Sequence, residues 1–417
     1  MSGPSPLRNV ISFVMSKVTK TSESFENLRK AFKDFNINFE QEASKDGFSL
    51  TKLKEDINYE LKEWDVEFGF NINPIKPEQI IKNLVSHYAV DKHLDGEIEV
   101  KSFGQGLQRH LIYTLIKLSS QYVEIKTYKQ KEFSPEFNFI LFEEPEAFLH
   151  PSQQENLNRS LRSLSSEQGT QIVISTHSPF FISRNIEEIS SLAKLKRENG
   201  ITQIFQVSEK IRNAIISENN ELALLFKTKL NDPTIDSRTK EKIKRKLGYT
   251  DNIKRMEEES IRYQLWLDSE RCCGFFAESV IICEGASEKV FLEYLLKSKW
   301  TDLSERKLYV LDSMGKYNIH RYMNLFKELG ITHSILADKD KNDNIHKIIN
   351  QFILDNRNPF TKGIFFFKNN IEAFLEINPP PKNRRDKKPL NIMWNYFKNK
   401  ISDEKLNELN KIIRDLI

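Results

Sequence analysis

Cysteine is scarce: there are three in 417 residues, and Cys272 and Cys273 are neighbours. That makes no disulfide framework and no C-x-x-C pair for zinc, so a reducing, cytoplasmic setting is expected. Long apolar runs are lacking as well. None approaches the ~20 residues needed to cross a bilayer, and the start of the chain has no continuous apolar signal core. The expectation is a chain neither exported nor membrane-embedded. A large excess of one charge is also missing, since 63 Lys and Arg against 59 Asp and Glu leave +4. Net charge therefore specifies no nucleic-acid partner, and local clusters must carry that argument. With 39% hydrophobic and 29% charged residues, the chain reads as globular. Its length suggests two or three domains, because a single core rarely grows past ~250–300 residues.

The most informative stretch is ESVIICEGASE, 278–288. The run Val280 to Cys283, closed by Glu284 and Gly285, reads as a buried parallel strand feeding a loop and helix. A carboxylate at the C-terminal end of such a strand lies where open α/β sheets place their chemistry. Glu288 follows one helical turn later on the loop side. A second apolar run ends in HSILADKDKND, where Asp338 and Asp340 are spaced as same-side residues of a strand. A third, GIFFFKNNIEAFLE, is followed by Glu372. Acids recurring at strand ends are how an oxygen-ligand Mg²⁺ site is built. YVLDSMGKYN adds another site-facing loop through Asp312 and Gly315. Strand signals at 278–283, 307–311, 332–337 and 363–367 alternate with helical ones, which is the rhythm of a parallel sheet. NIMWNYFKNKI and DEKLNELNKIIRDLI then read as covering helices. Between them and the sheet, the basic run PPPKNRRDKKP (379–389) reads as a solvated loop or, more sharply, as a phosphate-backbone contact.

Glu-Gly after one strand and Asp-x-Asp after another, in this order, resembles the Toprim domain of topoisomerases, primases and some nucleases, over roughly 275–388.

Earlier in the chain, SFGQGLQR (102–109) places Ser102, Gly104 and Gly106 before an apolar-periodic helix, where small residues let backbone amides approach a phosphate. FNFILFEEPEAFLHP ends a buried strand on Glu143 and Glu144, and TQIVISTHSPF ends another at His177. The trio resembles the signature loop, Walker B strand and switch histidine of ATP-binding-cassette ATPases, in the branch related to structural-maintenance-of-chromosomes and RecF-like proteins. That resemblance implies that Glu143 helps hold Mg²⁺, Glu144 polarises the attacking water and His177 contacts the γ-phosphate. Ser102, Gly104 and Gly106 would close over a nucleotide held by a partner protomer. Two features depart from the pattern. Glu143 stands where Asp is usual, and no G-x-x-x-x-G-K-[ST] segment occurs. Only about a hundred residues precede the signature loop, so the first half of the ATPase domain is expected to be missing, and this polypeptide alone to bind and turn over ATP poorly.

Residues 1–70 read as helices with charged faces, from SFENLRKAFKDF and TKLKEDINYELKEW, while ITQIFQVS (201–208) reads as one more strand of the ATPase sheet. From Glu221 to Arg271 charge dominates, interrupted by a break at Asn231 to Ser237, as in a helical linker or dimer-forming arm. The expected architecture is α/β. It comprises a partial ABC-type ATPase domain of mixed sheet and helices (1–208), a helical linker or dimerisation arm (209–273) and a Toprim-type parallel-sheet domain (274–417).

An ABC-type ATPase followed by a Toprim domain resembles the OLD (overcoming lysogenization defect) family of nucleases, which includes components of Gabija-like and retron-associated phage defence. The resemblance implies Mg²⁺- or Mn²⁺-dependent cleavage of DNA at Glu284, Glu288, Asp338, Asp340 and Glu372, with Lys387 or Lys388 near the scissile phosphate. It also implies ATP as a regulatory ligand, a homodimer or higher oligomer, and a second defence protein or separate ATPase half as partner. A topoisomerase would need a tyrosine on its own DNA-gate domain, and a primase a zinc module that these cysteines cannot make. The competing reading is a non-catalytic Toprim-bearing scaffold or sensor switched by nucleotide. A third, a repair-type ATPase, would draw its activity from Glu144.

Overall fold

The computed structural model describes residues 22–41, 47, 49–64, 66–69, 88–91, 96–99, 102–104, 106–108, 111–112, 114–115, 138–166, 169–247, 265–304, 308–340 and 344–417. The chain forms two compact units, Met1–Thr176 and His177–Ile417. The three-part division at 208 and 273 stands as a proposal about sequence modules. The packing adds that residues beyond His177 share a core with the C-terminal sheet.

In the first unit, the two charged segments form α1 (Glu23–Gln41) and α2 (Leu50–Glu60), the latter opened by Ser49, whose hydroxyl accepts from the Lys52 amide. Strands β1 (Tyr88–Asp91) and β2 (Gly96–Glu99) pair antiparallel. Strands β3 (Asn138–Glu143) and β4 (Thr170–Ser175) pair in parallel around α3 (Pro151–Ser165), with Glu143 opposite Ser175. Proline at the first helical position starts α3 without losing a hydrogen bond. Leu157, Leu161 and Leu164 bury its apolar stripe.

The second unit begins with β5 (Ala193–Glu198) and β6 (Ile201–Gln206), and here the sequence expectation is corrected. Among the described residues, the 201–208 segment does not extend the β3–β4 sheet. It folds back on β5 as an antiparallel hairpin. The cause is the two-residue turn Asn199–Gly200, with φ of 50° and 82°. Asn-Gly with both residues left-handed is the turn that matches the twist of a hairpin. Helix α4 (Glu209–Leu230) starts on Ser208, whose hydroxyl caps the Ile211 amide, and α5 (Ser237–Leu247) follows the expected break. Most of IKRMEEESIRYQLWL lies outside the described residues.

The core of this unit is a four-stranded parallel sheet, ordered β10-β9-β7-β8. Its members are β7 (Ser279–Cys283), β8 (Leu308–Asp312), β9 (Thr332–Asp338) and β10 (Thr361–Phe367), close to the four spans read from the sequence. Side chains alternate across β7. Val280 and Ile282 face one layer, and Ile281 and Cys283 face the other; all four are fully buried. A strand covered on both faces must be apolar throughout. On the first face lie α4, α7 (Ile319–Glu328) and α8 (Asn344–Asp355), through Phe226, Phe326 and Ile349. On the second lie α6 (Ala286–Ser298), α9 (Lys388–Phe397) and α10 (Asp403–Leu416), through Phe291, Ile392 and Leu409. The last two are the covering helices the sequence suggested. From β7 the chain moves to β8 on one side and then crosses to β9 on the other, so the switch in strand order falls at the C-terminal end of β7. Open α/β sheets bind their ligands at that crevice.

Candidate active site

Glu284 leaves the end of β7 at this crevice. Cys283 is in register with Leu336 of β9 and Asp312 of β8. The loop after β8 is tied over Glu284 by two backbone hydrogen bonds, Ser313 N to Cys283 O (3.0 Å) and Gly315 N to Glu284 O (2.7 Å). To make that return the chain is left-handed at Met314 and Gly315, with φ of 57° and 111°. The second value is one that favours glycine. The turn directs Lys316 into the crevice.

Lys316 is 1% exposed. Its ammonium donates to the backbone carbonyl of Asp338 and, at 2.7 Å, to Oδ2 of Asp340. It lies 3.5 Å from Oε2 of Glu284 and 3.3 Å from Nδ1 of His346. Oxygens from the ends of β7 and β9 therefore already surround one cationic centre. Glu284 Oε2 also accepts from the Asp338 amide at 3.3 Å. Asp338 is the last residue of β9, and its Oδ1 is buried with no hydrogen-bond partner. Asp340 corrects the strand-spacing argument. It lies past the strand with φ of 44°, after the Lys339 amide has bonded Phe367 O, and reaches the crevice through this left-handed turn. Its carboxylate also lies 3.2 Å from His346 Nδ1.

Glu288 is the third residue of α6, and its Oε2 accepts from the Gly285 amide at 3.2 Å, closing the helix start. Glu372 follows β10 in a short turn capped by Asn370. It is fully buried, with both carboxylate oxygens unbonded, and the Lys388 ammonium lies 3.5 Å from Oε1. Lys387, one residue earlier, is exposed at the N-terminus of α9. The structure thus brings Lys388 to the carboxylates. The other basic side chain it places there, Lys316, was missed by a sequence reading that stopped at Asp312 and Gly315. Asp312 itself is engaged elsewhere, accepting from the Met314 amide at 2.7 Å and facing Arg271 Nη2 at 3.7 Å.

Burial dominates the electrostatics. It raises the pKa of Glu284, against the nearby Lys316 charge, and pushes Glu288 up to about 8, with Glu284 and Glu372 adding to the effect. Asp338 is raised well above the usual range by burial and then by Glu288, Glu284 and Asp340. For Lys388 burial opposes the charge, but Glu372, Asp338 and Glu288 together outweigh it and raise its pKa. Carboxylates that repel one another, with buried oxygens lacking donors, suit a hard divalent cation with oxygen ligands. Among the described residues, no three His, Cys, Asp or Glu side chains stand ready in a metal-holding arrangement. Lys316 and Lys388 supply the positive charge among them.

In the first unit, Ser102 and Gly104 are exposed. A side chain on Gly106 would meet the Phe148 carbonyl at 3.1 Å, so the glycine loop and the turn after β3 lie against each other. Glu143 and Glu144 are exposed at the end of β3. Glu144 has φ of 42°, and its amide bonds Ser175 O at 2.9 Å. The buried acid of EEPEAF is Glu146, which accepts from Thr176 Oγ1 at 2.6 Å and which the motif reading passed over. His177, in the second unit, is exposed, with its ring 6.4 Å from that of Phe276.

Comparison with known proteins agrees with this layout. Residues 10–182 match the family model of an AAA ATPase domain, and residues 275–340 match that of the overcoming lysogenization defect protein-like TOPRIM domain. The second match, to an OLD-like TOPRIM domain, spans β7 to the end of β9 and so takes in Glu284, Asp338 and Asp340. The chain is similar to the Old nuclease of Escherichia phage P2, at 28% identity over 249 residues, covering 59% of this chain and 34% of that protein. It is similar to the endonuclease GajA of Bacillus cereus strain HuB5-5, at 24% over 271 residues, 63% and 34% respectively. It is also similar to the OLD nuclease of Thermus scotoductus strain SA-01, at 22% over 280 residues, 67% and 42%. The chain thus spans 34% to 42% of the length of these relatives. The sequence-level resemblance to an ATPase–TOPRIM pairing is borne out, and domains of these two types bind nucleotide and divalent metal. No helix among the described residues is long and apolar enough to cross a membrane.

Proposed function

We propose that this chain is a Mg²⁺- or Mn²⁺-dependent DNA endonuclease whose TOPRIM carboxylates hydrolyse phosphodiesters under the control of an ATPase module, in anti-phage defence. The observation that carries the reading is the convergence of the Glu284 and Asp340 carboxylates and the Asp338 backbone carbonyl on the Lys316 ammonium at the switch point of the sheet. Asp338 Oδ1 and the Glu372 oxygens, which accept no hydrogen bond, lie in the same acidic cluster, with Glu372 facing the Lys388 ammonium. The relatives support it as proteins named nucleases.

Glu284, Glu288, Asp338, Asp340 and Glu372 would hold the metal. When bound, a divalent cation supplies Lewis acidity that favours an attacking water and a leaving 3′ oxygen. Glu288 carries its proton to about pH 8 and must release it before it can serve as a ligand. Lys388 remains an ammonium beside these acids and offers its positive charge to a scissile phosphate. In the ATPase domain, Glu143 would help hold Mg²⁺, Glu144 orient water, and His177 contact the γ-phosphate of ATP. Ser102, Gly104 and Gly106 would close over a nucleotide held by a partner protomer, which makes a homo-oligomer, or a partner carrying the other ATPase half, part of the proposal. A cytoplasmic location fits this role.

The test is digestion of plasmid and linear DNA with Mg²⁺ or Mn²⁺, comparing Glu284→Ala with Glu144→Ala. Cleavage lost only with the first supports the reading. Cleavage that follows Glu144 instead would place the activity in the ATPase domain. The scaffold reading draws on the two ammonium groups that already occupy the acidic crevice, and it gains if the wild-type chain cuts nothing with any metal.

A further inference from the structure

The assignment of the crevice as a metal centre leaves one residue unexplained. Lys316 is as buried as any core side chain, yet it comes from the loop after β8, whereas the acids come from the ends of β7, β9 and β10. Four polar groups face its ammonium: the Asp338 carbonyl, Asp340 Oδ2, His346 Nδ1 and Glu284 Oε2. Two of these, Asp340 and Glu284, are among the carboxylates proposed to bind metal.

We propose that Lys316 is a built-in counter-ion that competes with the divalent cation for Glu284 and Asp340, so that metal entry requires its ammonium to withdraw. This rests on the metal-centre reading above and adds to it a gate on metal affinity. An ammonium takes its oxygens at ~2.7–2.9 Å, whereas Mg²⁺ takes them at ~2.0–2.1 Å in a close octahedron. Both cannot share the same two carboxylate oxygens, and like charges a few ångströms apart repel strongly at a buried site. Lysine suits the task because its charge is a compact point on a flexible four-carbon stem. The backbone carrying it is fixed by the bonds from Ser313 and Gly315, so the side chain is the part free to leave. The device lets the carboxylates fold together before metal arrives, because the ammonium offsets their repulsion.

The experiment uses the full chain and reads binding, not cleavage. Mn²⁺ affinity is measured by electron paramagnetic resonance at pH 8 for wild type, Lys316→Met and Lys316→Gln, with urea unfolding confirming that each variant is folded. In parallel, wild type is reductively methylated with and without saturating Mn²⁺, and Lys316 is followed by mass spectrometry with Lys388 as internal reference. The proposal requires Mn²⁺ to bind at least tenfold more tightly to whichever neutral variant folds, and Lys316 to become at least fivefold more reactive when metal is present. Unchanged or weaker affinity in the neutral variants overturns it, as does a Lys316 that stays shielded at saturation; either result would make the lysine a permanent part of the site. If wild type binds no Mn²⁺, or binds it as tightly after Glu284→Gln, the metal-centre reading falls first and this inference with it.

Discussion

Glu288 gives the sharpest check on the site, because one residue links burial, charge and metal. It is 4% exposed, and its pKa rises from 4.5 to about 8 on folding, chiefly through burial. The folded chain keeps this proton up to about pH 8, while the unfolded chain gives it up near 4.5. Between those values the folded state binds more protons, so a rise in pH favours unfolding. Each pH unit in that window is about 1.36 kcal/mol, so between pH 5.5 and 8 the loss attributable to Glu288 is about 3 kcal/mol. Glu288→Gln keeps the shape and removes the titration.

The assay is urea unfolding in EDTA at several pH values, followed by tryptophan fluorescence. Trp266, Trp300 and Trp394 lie in the second unit, so the signal is weighted toward the TOPRIM domain. Wild type should lose at least ~2 kcal/mol relative to Glu288→Gln as pH rises from 5.5 to 8. Saturating Mn²⁺ at pH 8 should then stabilise wild type more than the variant, because binding to the folded state alone adds stability by mass action. A wild-type-minus-variant difference that stays flat from pH 5.5 to 8, or that grows in favour of wild type, would refute the reasoning.

Lys388→Met should destabilise the TOPRIM domain by about 1–3 kcal/mol by leaving the fully buried Glu372 without its half-exposed ion partner, and Glu372→Gln in the same chain should recover most of that loss in a double-mutant cycle. At Gly330, φ is 61° and an added methyl would sit 2.5 Å from the Phe205 ring, so Gly330→Ala should cost about 2–4 kcal/mol in urea unfolding, with part returned by Phe205→Ala. Asn324→Leu removes the 3.0 Å bond from its amide to Asn219 Oδ1 in the buried seam between α4 and α7, and should lower stability by about 1–3 kcal/mol.

The TOPRIM sheet was legible because its strands are short, apolar and closed by acids or turns. A fully buried run such as Val280 to Cys283 has few other uses in a chain with no membrane-length segment. The positions of Glu284, Glu288, Asp338 and Glu372 were legible for the same reason, each lying at a strand end or in the segment that follows it. The pairing of Ile201–Gln206 was misjudged even though its signal was local. The Asn-Gly pair before it fixes a hairpin, whereas the apolar pattern of the strand says nothing about its neighbour. Asp340 lies at the crevice, but left-handed backbone and not strand alternation turns it inward. Lys316 could not be found by counting acids. Its position depends on a left-handed turn at Met314 and Gly315 and on bonds to the end of a different strand.

That last miss follows from how such a site must fold. Acids drawn to one crevice either keep their protons, as Glu288 does, or need a charge that offsets their repulsion, and a divalent ion from solution is not a part of the sequence. The groups that can do this are basic side chains from elements that do not carry the acids. β7 and β9 lie side by side and bring Glu284 and Asp338 close enough for the Asp338 amide to donate to Glu284. The cation must then come from the far side of β7, and β8 supplies Lys316. Glu372 follows β10 at the other edge, and its cation comes from the covering helix α9 as Lys388. The two lysines therefore flank the switch point from opposite sides, and the order of the strands explains why each comes from the element that it does.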